Sequence, residues 1–151
     1  SYYSGDIKRI QHFIKVHSLA RTIAIGENAN TKAQIIIEAA ALVHDIGVLP
    51  ALRKYGKCDG KLQEQEGPKY ARNLLKEIGF SEDTIERVAW LVAHHHSYKD
   101  IKTFDHQVLV EADFLVNLYE DSISEEGQRK ALKKIFKTET GIELMYTMYG
   151  L

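Results

Sequence analysis

Histidine and aspartate side chains stand among apolar residues in four separate segments of the chain. They are His12, the adjacent pair His44 and Asp45, the run His94, His95 and His96, and Asp113. A buried imidazole or carboxylate is costly without a partner. One divalent cation at the point where these segments meet would satisfy all of them at once. The pattern therefore predicts a metal site.

Each of these residues also has an ordinary explanation when it is taken alone. A single helical histidine is usually a surface residue or a satisfied core residue. Asp113 alone would be a solvated or capping carboxylate, and the histidine run alone would be an exposed helix end. A helical interaction protein without any site therefore stays an alternative, but it requires these residues to be unrelated.

The elements that must position these side chains are helices, because apolar residues recur with a helical period almost throughout. We expect an all-α bundle of about six or seven helices. The helices are predicted at about residues 6–26, 30–47, 67–78, 82–95, 105–120 and 124–140. Ile10 and Ile35 are expected on the buried faces of the first two helices, and residues 48–60 are expected to form a loop beside the site.

The composition excludes several classes of protein. Twenty Lys and Arg residues balance 21 Asp and Glu residues, for a net charge of -1. This balance predicts no nucleic-acid polymer as partner and no attraction to an anionic membrane. We expect no membrane span, which needs roughly 18 apolar residues. The single cysteine, Cys58, excludes an intrachain disulfide and a multi-cysteine zinc site. We expect a soluble, cytoplasmic domain.

Three segments make the sequence resemble the HD-domain superfamily of metal-dependent phosphohydrolases, whose pattern is a His, a His-Asp doublet and a later Asp. The segments are 9–20, 40–47 and 110–113. The resemblance covers roughly residues 6–120 and implies one helical domain over residues 1–151, with a C-terminal helical extension at about residues 121–151. It implies four metal ligands, namely His12, His44, Asp45 and Asp113. His17 is the competitor of His12.

A set of two histidines and two aspartates without a thiolate suits iron, manganese, cobalt, nickel or magnesium at least as well as zinc. A cation bound there would lower the pKa of its water and supply hydroxide, and Asp45 is then both ligand and candidate base. The resemblance also implies an additional role for His94 or His95, as phosphate contact, acid or ligand of a second metal together with Glu64. Gln63 stands where related proteins often have a histidine, which favours one metal.

The resemblance predicts a phosphomonoesterase or phosphodiesterase that acts on a nucleotide or a similar small phosphorylated molecule. Val48 replaces the lysine typical of the cyclic-dinucleotide phosphodiesterases, so that branch is not expected. The alternative is a metal-containing nucleotide-binding or regulatory module with little turnover. The candidate phosphate-binding cations are Arg9, Lys15, Arg53, Lys54 and Lys57. The apolar tail at residues 142–151 is expected to pack on the bundle, with a homodimer contact as the alternative.

Overall fold

A computed structural model describes residues 2–151, and every regular element in this range is an α-helix, as predicted. The eight helices of the described residues are α1 Ile7–Gly26, α2 Thr31–Val43, α3 Val48–Tyr55, α4 Gly60–Glu77, α5 Glu82–Val92, α6 Phe104–Glu120, α7 Glu125–Ile135 and α8 Glu139–Tyr149. The first, second and fourth begin at side-chain caps, because Asp6, Asn30 and Asp59 each accept a hydrogen bond from a backbone N–H of the first turn.

Helix α2 lies at the centre of the bundle and contacts α1, α5 and α6. The segment Thr31–Tyr55, which joins α2 to α3, is long and apolar enough to cross a membrane by length and composition, contrary to our expectation from the sequence. In the fold, 67% of its apolar window is buried. A core helix of a folded domain passes the same test of length and composition, so burial in the bundle explains this apolarity.

The segment 48–60, which we expected to be a loop, contains helix α3. Pro50 is the third residue of α3 and lies in the first turn, where a missing backbone N–H removes no helical hydrogen bond. Gly56 ends the helix with a φ of 68°. The proline and the glycine that indicated a loop are therefore residues at the two ends of a short helix.

Helix α4 begins at Gly60 and not at Gly67-Pro68 as predicted, and it continues through Pro68. The proline removes one backbone hydrogen bond, but it does not end the helix. Gly67 is required by close packing, because a Cβ there would lie 2.6 Å from Cγ1 of Val92. A Cβ at Gly47 would in turn lie 2.8 Å from the backbone N of Gly67. This close approach packs α4 against the turn that carries His44 and Asp45.

The helix predicted at residues 124–140 is two helices, α7 and α8, separated at Phe136, whose ψ of 130° is extended. A side chain of α6 stabilises this break. The Glu111 carboxylate accepts hydrogen bonds from the backbone N–H groups of Lys137 and Thr138. No local sequence signal reveals such a contact. In α8, Met145 is fully buried, so the C-terminal tail packs on the bundle.

Two residues that we expected in the core lie at the surface instead. The side chains of Ile10 and Ile35 are 38% and 46% exposed. In α1 the inward positions include His12, and in α2 they include Ile37. The inward face of α1 therefore includes His12, as the sequence predicts, but not Ile10, and the bundle must satisfy the polar side chain of His12.

Candidate metal centre

Side chains from three separate parts of the bundle converge on one buried point. His12 comes from α1, His44 from the turn after α2, and Asp113 from α6. The Nε2 atoms of His12 and His44 are 3.3 Å apart. Oδ1 of Asp113 lies 3.3 Å from Nε2 of His12 and 3.5 Å from Nε2 of His44. The ligand atoms of this group all lie within 4.8 Å of one another, which is close enough for one cation.

Asp45 connects this group to a fourth imidazole. Its Oδ1 lies 3.7 Å from Nε2 of His44 and 3.4 Å from Nε2 of His95, and its Oδ2 lies 4.0 Å from Nε2 of His12. Asp45 sits in the tight turn between α2 and α3, where a proline-containing helix start and the close contact at Gly47 fix the backbone. The carboxylate is thus held between His12 and His95.

The three imidazoles all turn the same ring nitrogen toward this point. The Nδ1 atom of His44 donates to the carbonyl oxygen of Ala41 at 2.9 Å, and that of His95 donates to the carbonyl oxygen of Val92 at 2.8 Å. The Nδ1 atom of His12 donates to a carboxylate oxygen of Glu120 at 3.0 Å. Because the acceptors fix the proton on Nδ1, the neutral rings direct their Nε2 lone pairs inward, as metal-binding histidines do.

Two atoms at this point have no hydrogen-bond partner, namely Nε2 of His95 and Oδ1 of Asp113. Buried polar atoms are nearly always paired, so an unpaired one requires an explanation. The neighbours of Asp113 are imidazole nitrogens that carry lone pairs in this tautomer, and they cannot donate to it. A positive charge between these atoms removes the conflict, so the residues present fit a divalent cation.

The electrostatics of the protein alone point to the same need for positive charge. Burial by itself lowers the pKa of His44, but the carboxylates of Asp45 and Asp113 more than offset it and raise this pKa to about 9. Burial likewise raises the pKa of Asp45 and Asp113, yet the nearby imidazoles hold both values well below the usual range for a carboxyl group. The cluster thus favours bound positive charge, which is a proton when no cation is bound.

Comparison with known proteins identifies the family. A model of the HD domain matches residues 9–133. The chain belongs to the HD-domain family. It is also similar to the 1.45 Å crystal structure of a predicted HD superfamily hydrolase from an uncultured Thermotogales bacterium, with 27% sequence identity and a TM-score of 0.63. That likeness covers 93% of this chain and 73% of the other. No curated protein matches the chain.

The two comparisons support membership of a family of metal-dependent hydrolases and confirm the resemblance seen in the sequence. The HD-domain match includes the three segments that carry His12, the His44-Asp45 pair and Asp113. HD domains bind divalent metals, and the chain gathers a His and Asp group that could hold one.

The histidine run of this HD domain is split between different environments. His94 stacks on Trp90, with ring centroids 4.1 Å apart, and lies outside the cluster. His95 is buried in the cluster beside Asp45. His96 forms with Asp45 and His95 a second group that could hold a metal ion, and its Nε2 also contacts Oε1 of Gln63 at 3.1 Å. The register that the sequence left open therefore places His95 inward.

Glu64, a candidate for a second metal, and His17, the competitor of His12, both have partners of their own. Glu64 accepts hydrogen bonds from the backbone N–H of His96 at 3.0 Å and from the hydroxyl of Ser97 at 3.1 Å. His17, the competitor of His12, lies on a different face of α1 and contacts Glu38 at 3.0 Å. Neither residue belongs to the groups that could hold a metal ion among the described residues.

One of the five candidate phosphate-binding cations lies at the cluster. Arg9 is held by the carboxylate of Asp6 at 3.2 Å and extends to within 3.8 Å of Oδ2 of Asp45. It lines a cavity of about 200 Å³ together with His12 and Asp45. The other candidates line neither of the two cavities next to Asp45; they are Lys15, Arg53, Lys54 and Lys57.

Glu120 is a functional candidate that the sequence reasoning missed. Its Oε2 accepts from Nδ1 of His12, and its Oε1 accepts from the ammonium group of Lys15. A carboxylate that holds the second nitrogen of a metal-binding imidazole fixes the orientation of the ring and raises its basicity. The available signal was its spacing, since Glu120 lies seven residues after Asp113 and therefore on the same face of α6.

Proposed function

We propose that this HD-domain protein is a metal-dependent phosphohydrolase that cleaves a phosphoester of a nucleotide or a similar small phosphorylated molecule. In this proposal His12, His44, Asp45 and Asp113 hold a divalent cation. The observation that carries it is the pair of unpartnered buried atoms, Oδ1 of Asp113 and Nε2 of His95, among inward-facing imidazole lone pairs.

The cation, Asp45 and Arg9 have separate roles in this proposal. A divalent cation held there would polarise a phosphoryl group and lower the pKa of a water ligand. Asp45 has one oxygen near His44 and His95 and the other near His12 and Arg9, so it can bind the cation and also orient a water. Arg9 is placed to bind a phosphate oxygen with its guanidinium group.

His95 is the histidine of the run that we assign to the reaction. Its free Nε2 is 3.4 Å from Asp45, so it can hydrogen-bond the substrate or a water beside that carboxylate, or join Asp45 around a second cation. His94, which the sequence offered for the same role, contacts Trp90 instead. The engaged side chains of Gln63 and Glu64 favour one metal over two.

The donor set also bears on the metal and the location of the protein. Imidazole and carboxylate ligands without thiolate suit iron or manganese, and also cobalt, nickel, magnesium and zinc. We favour iron or manganese.

A single cysteine, Cys58, is consistent with the reducing cytoplasm, which we propose as the compartment.

The test is hydrolysis of p-nitrophenyl phosphate and AMP by metal-loaded protein, with a matched pair of histidine variants on α1. We expect His12→Gln to lose activity at least about 100-fold, because the lost ligand removes cation-based stabilisation worth several kcal/mol. His17→Gln removes a histidine of the same helix that hydrogen-bonds to Glu38 and does not belong to the cluster, and it should keep the parent rate.

Asp45→Asn is a second inactive variant that changes little in volume, and circular dichroism confirms that each variant is folded. Full activity in both His12→Gln and Asp45→Asn would overturn the proposal. A parent protein that binds metal and is stabilised by AMP against heating, yet hydrolyses no phosphoester, would favour the nucleotide-binding module instead.

A further inference from the structure

A second, larger cavity adjoins the cluster, and its lining does not include Arg9. This cavity has a volume of about 500 Å³, which is the size of a pocket for a small organic ligand. Asp45 and Asp113 of the cluster line it. Its aromatic and aliphatic walls come from the segment before α6, from α6, from the turn after it and from α7. They are formed by Tyr98, Phe114, Leu118, Ile123 and Ala131.

The two cavities differ in the cations that line them. The smaller cavity has Lys8 and Arg9 in its wall, next to the carboxylates of Asp6, Asp45, Glu120 and Asp121. In the part of the chain that the structure describes, no lysine or arginine lines the larger cavity, whereas the carboxylates of Asp45, Asp113 and Asp121 do. The cations that a phosphate needs are therefore all on one side of the cluster. A second phosphate in the larger cavity would face a carboxylate and an apolar wall without a compensating cation.

Two polar side chains of α6 stand where the cavities meet. Asn117 and Asp121 line both of them, and they follow Asp113 at intervals of four residues, so the three share one face of the helix. The side chains of Asn117 and Asp121 have no hydrogen bond or ion pair with the other described residues. An amide and a carboxylate at this position suit hydroxyl groups, such as those of a sugar, between a phosphate and an apolar group.

We infer that the site selects monophosphate esters of an uncharged organic alcohol and discriminates against diphosphates. The inference rests on the proposed function and narrows its substrate class. The phosphate lies at the cluster beside Arg9, the alcohol carbon skeleton lies against Phe114 and Leu118, and its hydroxyl groups meet Asn117 and Asp121. The larger cavity is unfavourable for a further negative charge because it has no cation among the described residues, and Asp121, which lines both cavities, adds a carboxylate there.

The experiment compares AMP with ADP on the metal-loaded protein, in both hydrolysis and binding. We expect kcat/KM for AMP to exceed that for ADP by at least about tenfold, since a like charge without a counter-ion is strongly disfavoured at a binding site. AMP should also raise the melting temperature more than ADP does at equal concentration. Equal values for AMP and ADP in both measurements would overturn the inference.

The Asp121→Lys variant tests the assigned cause of this selectivity. Asp121 is exposed at the end of α6, where a lysine is compatible with the helix. The variant should lower the ratio of AMP to ADP by at least about threefold, through faster turnover of ADP. Glu77→Lys makes the same charge change at the end of α4, outside both cavities, and should leave the ratio unchanged.

The outcomes separate the two proposals. If no phosphoester is hydrolysed, the proposed function fails, and the difference in melting temperature between AMP and ADP still decides the substrate class. If AMP and ADP are hydrolysed equally well and stabilise equally, the hydrolase stands and the selectivity for monophosphates is wrong. If Asp121→Lys and Glu77→Lys change the ratio of kcat/KM for AMP to that for ADP equally, the role assigned to Asp121 is wrong.

Discussion

Helix α6 buries two carboxylates, Glu111 and Asp113, and the protein surrounds them differently. Both are almost inaccessible, with exposures of 0% and 3%. Oε1 of Glu111 accepts from Nε2 of Gln107 at 2.6 Å and from the backbone N–H groups of Lys137 and Thr138 at 2.6 and 3.0 Å. Oε2 of Glu111 accepts from the hydroxyl of Thr138. Oδ1 of Asp113, in contrast, has no hydrogen-bond partner.

The difference separates a structural carboxylate from a functional one. Glu111 and Asp113 are two residues apart and therefore face opposite sides of α6. Glu111 joins α6 to the segment between α7 and α8, with donors that the chain itself supplies. Asp113 faces imidazoles that already donate elsewhere, so the chain leaves its charge to be balanced by something that is not part of the chain.

Removal of the charge of Asp113 is expected to have the largest effect on metal affinity. Asp113→Asn should weaken binding of a divalent cation by about 1,000-fold or more, because loss of a direct ligand exceeds the 10- to 100-fold typical of a residue behind it. A competition titration against a chelator of known affinity measures this. Binding of metal by Asp113→Asn with parental affinity would show that its unpaired oxygen has another cause.

Removal of the Glu111 side chain is expected to have the reverse pattern. Glu111→Ala leaves the N–H groups of Lys137 and Thr138 without acceptors and should lower the free energy of unfolding by about 3 kcal/mol. Urea denaturation of the metal-free protein measures the change. Glu111→Gln keeps one carbonyl acceptor and should therefore lower the free energy of unfolding less than Glu111→Ala does. Comparable destabilisation by Asp113→Asn in the metal-free state would contradict the distinction between the two carboxylates.

Glu120 offers a smaller and more specific perturbation of the same metal centre. Glu120→Ala removes the acceptor for Nδ1 of His12 and should weaken metal binding by about 10- to 100-fold. Glu120→Gln keeps a carbonyl oxygen for that hydrogen bond and should restore most of the affinity. Lys15→Met removes the other partner of Glu120 and serves as the control. Identical affinities in Glu120→Ala and the parent would refute the positioning role.

A third carboxylate, that of Asp105 at the start of α6, forms an ion pair with Arg87. This pair predicts that the free energy of unfolding depends on pH. Burial raises its pKa, but two hydrogen bonds of 2.7 Å from Arg87, together with Thr103, lower it overall. The ion pair therefore stabilises the fold above about pH 4, the ordinary range of Asp, and is lost as the pH falls through the lowered pKa.

Arg87→Met should accordingly lower the free energy of unfolding by about 1 kcal/mol at neutral pH, with less effect under acid conditions. Urea denaturation of parent and variant at neutral pH and below about pH 3 measures the difference. If the difference in the free energy of unfolding between parent and variant stays constant or grows at acid pH, the assigned stabilisation is wrong.

The contrast between Glu111 and Asp113 also shows what the sequence could reveal. The all-α class follows from helical periodicity, and the family resemblance follows from the order of His12, the His44-Asp45 pair and Asp113. The spacing of residues cannot tell which carboxylate finds donors, because the two backbone N–H groups that bind Glu111 come from residues 26 and 27 positions later in the chain.

The local errors have the same physical origin. Helix α4 passes through Pro68 because packing at Gly67 and Gly47 outweighs the loss of one hydrogen bond. The placement of His95 and not His94 beside Asp45 depends on the turn that follows α5, which periodicity does not define. Such tertiary contacts override local preferences, so the sequence alone could not supply them.

The most direct test of the metal centre is the metal content of the purified protein after incubation with iron or manganese and removal of unbound ions. Elemental analysis should find about one equivalent in the parent and in Glu111→Gln, and almost none in Asp113→Asn. Absence of metal from the parent, or equal content in the Asp113→Asn and Glu111→Gln variants, would contradict the assignment of the unpaired carboxylate to a cation.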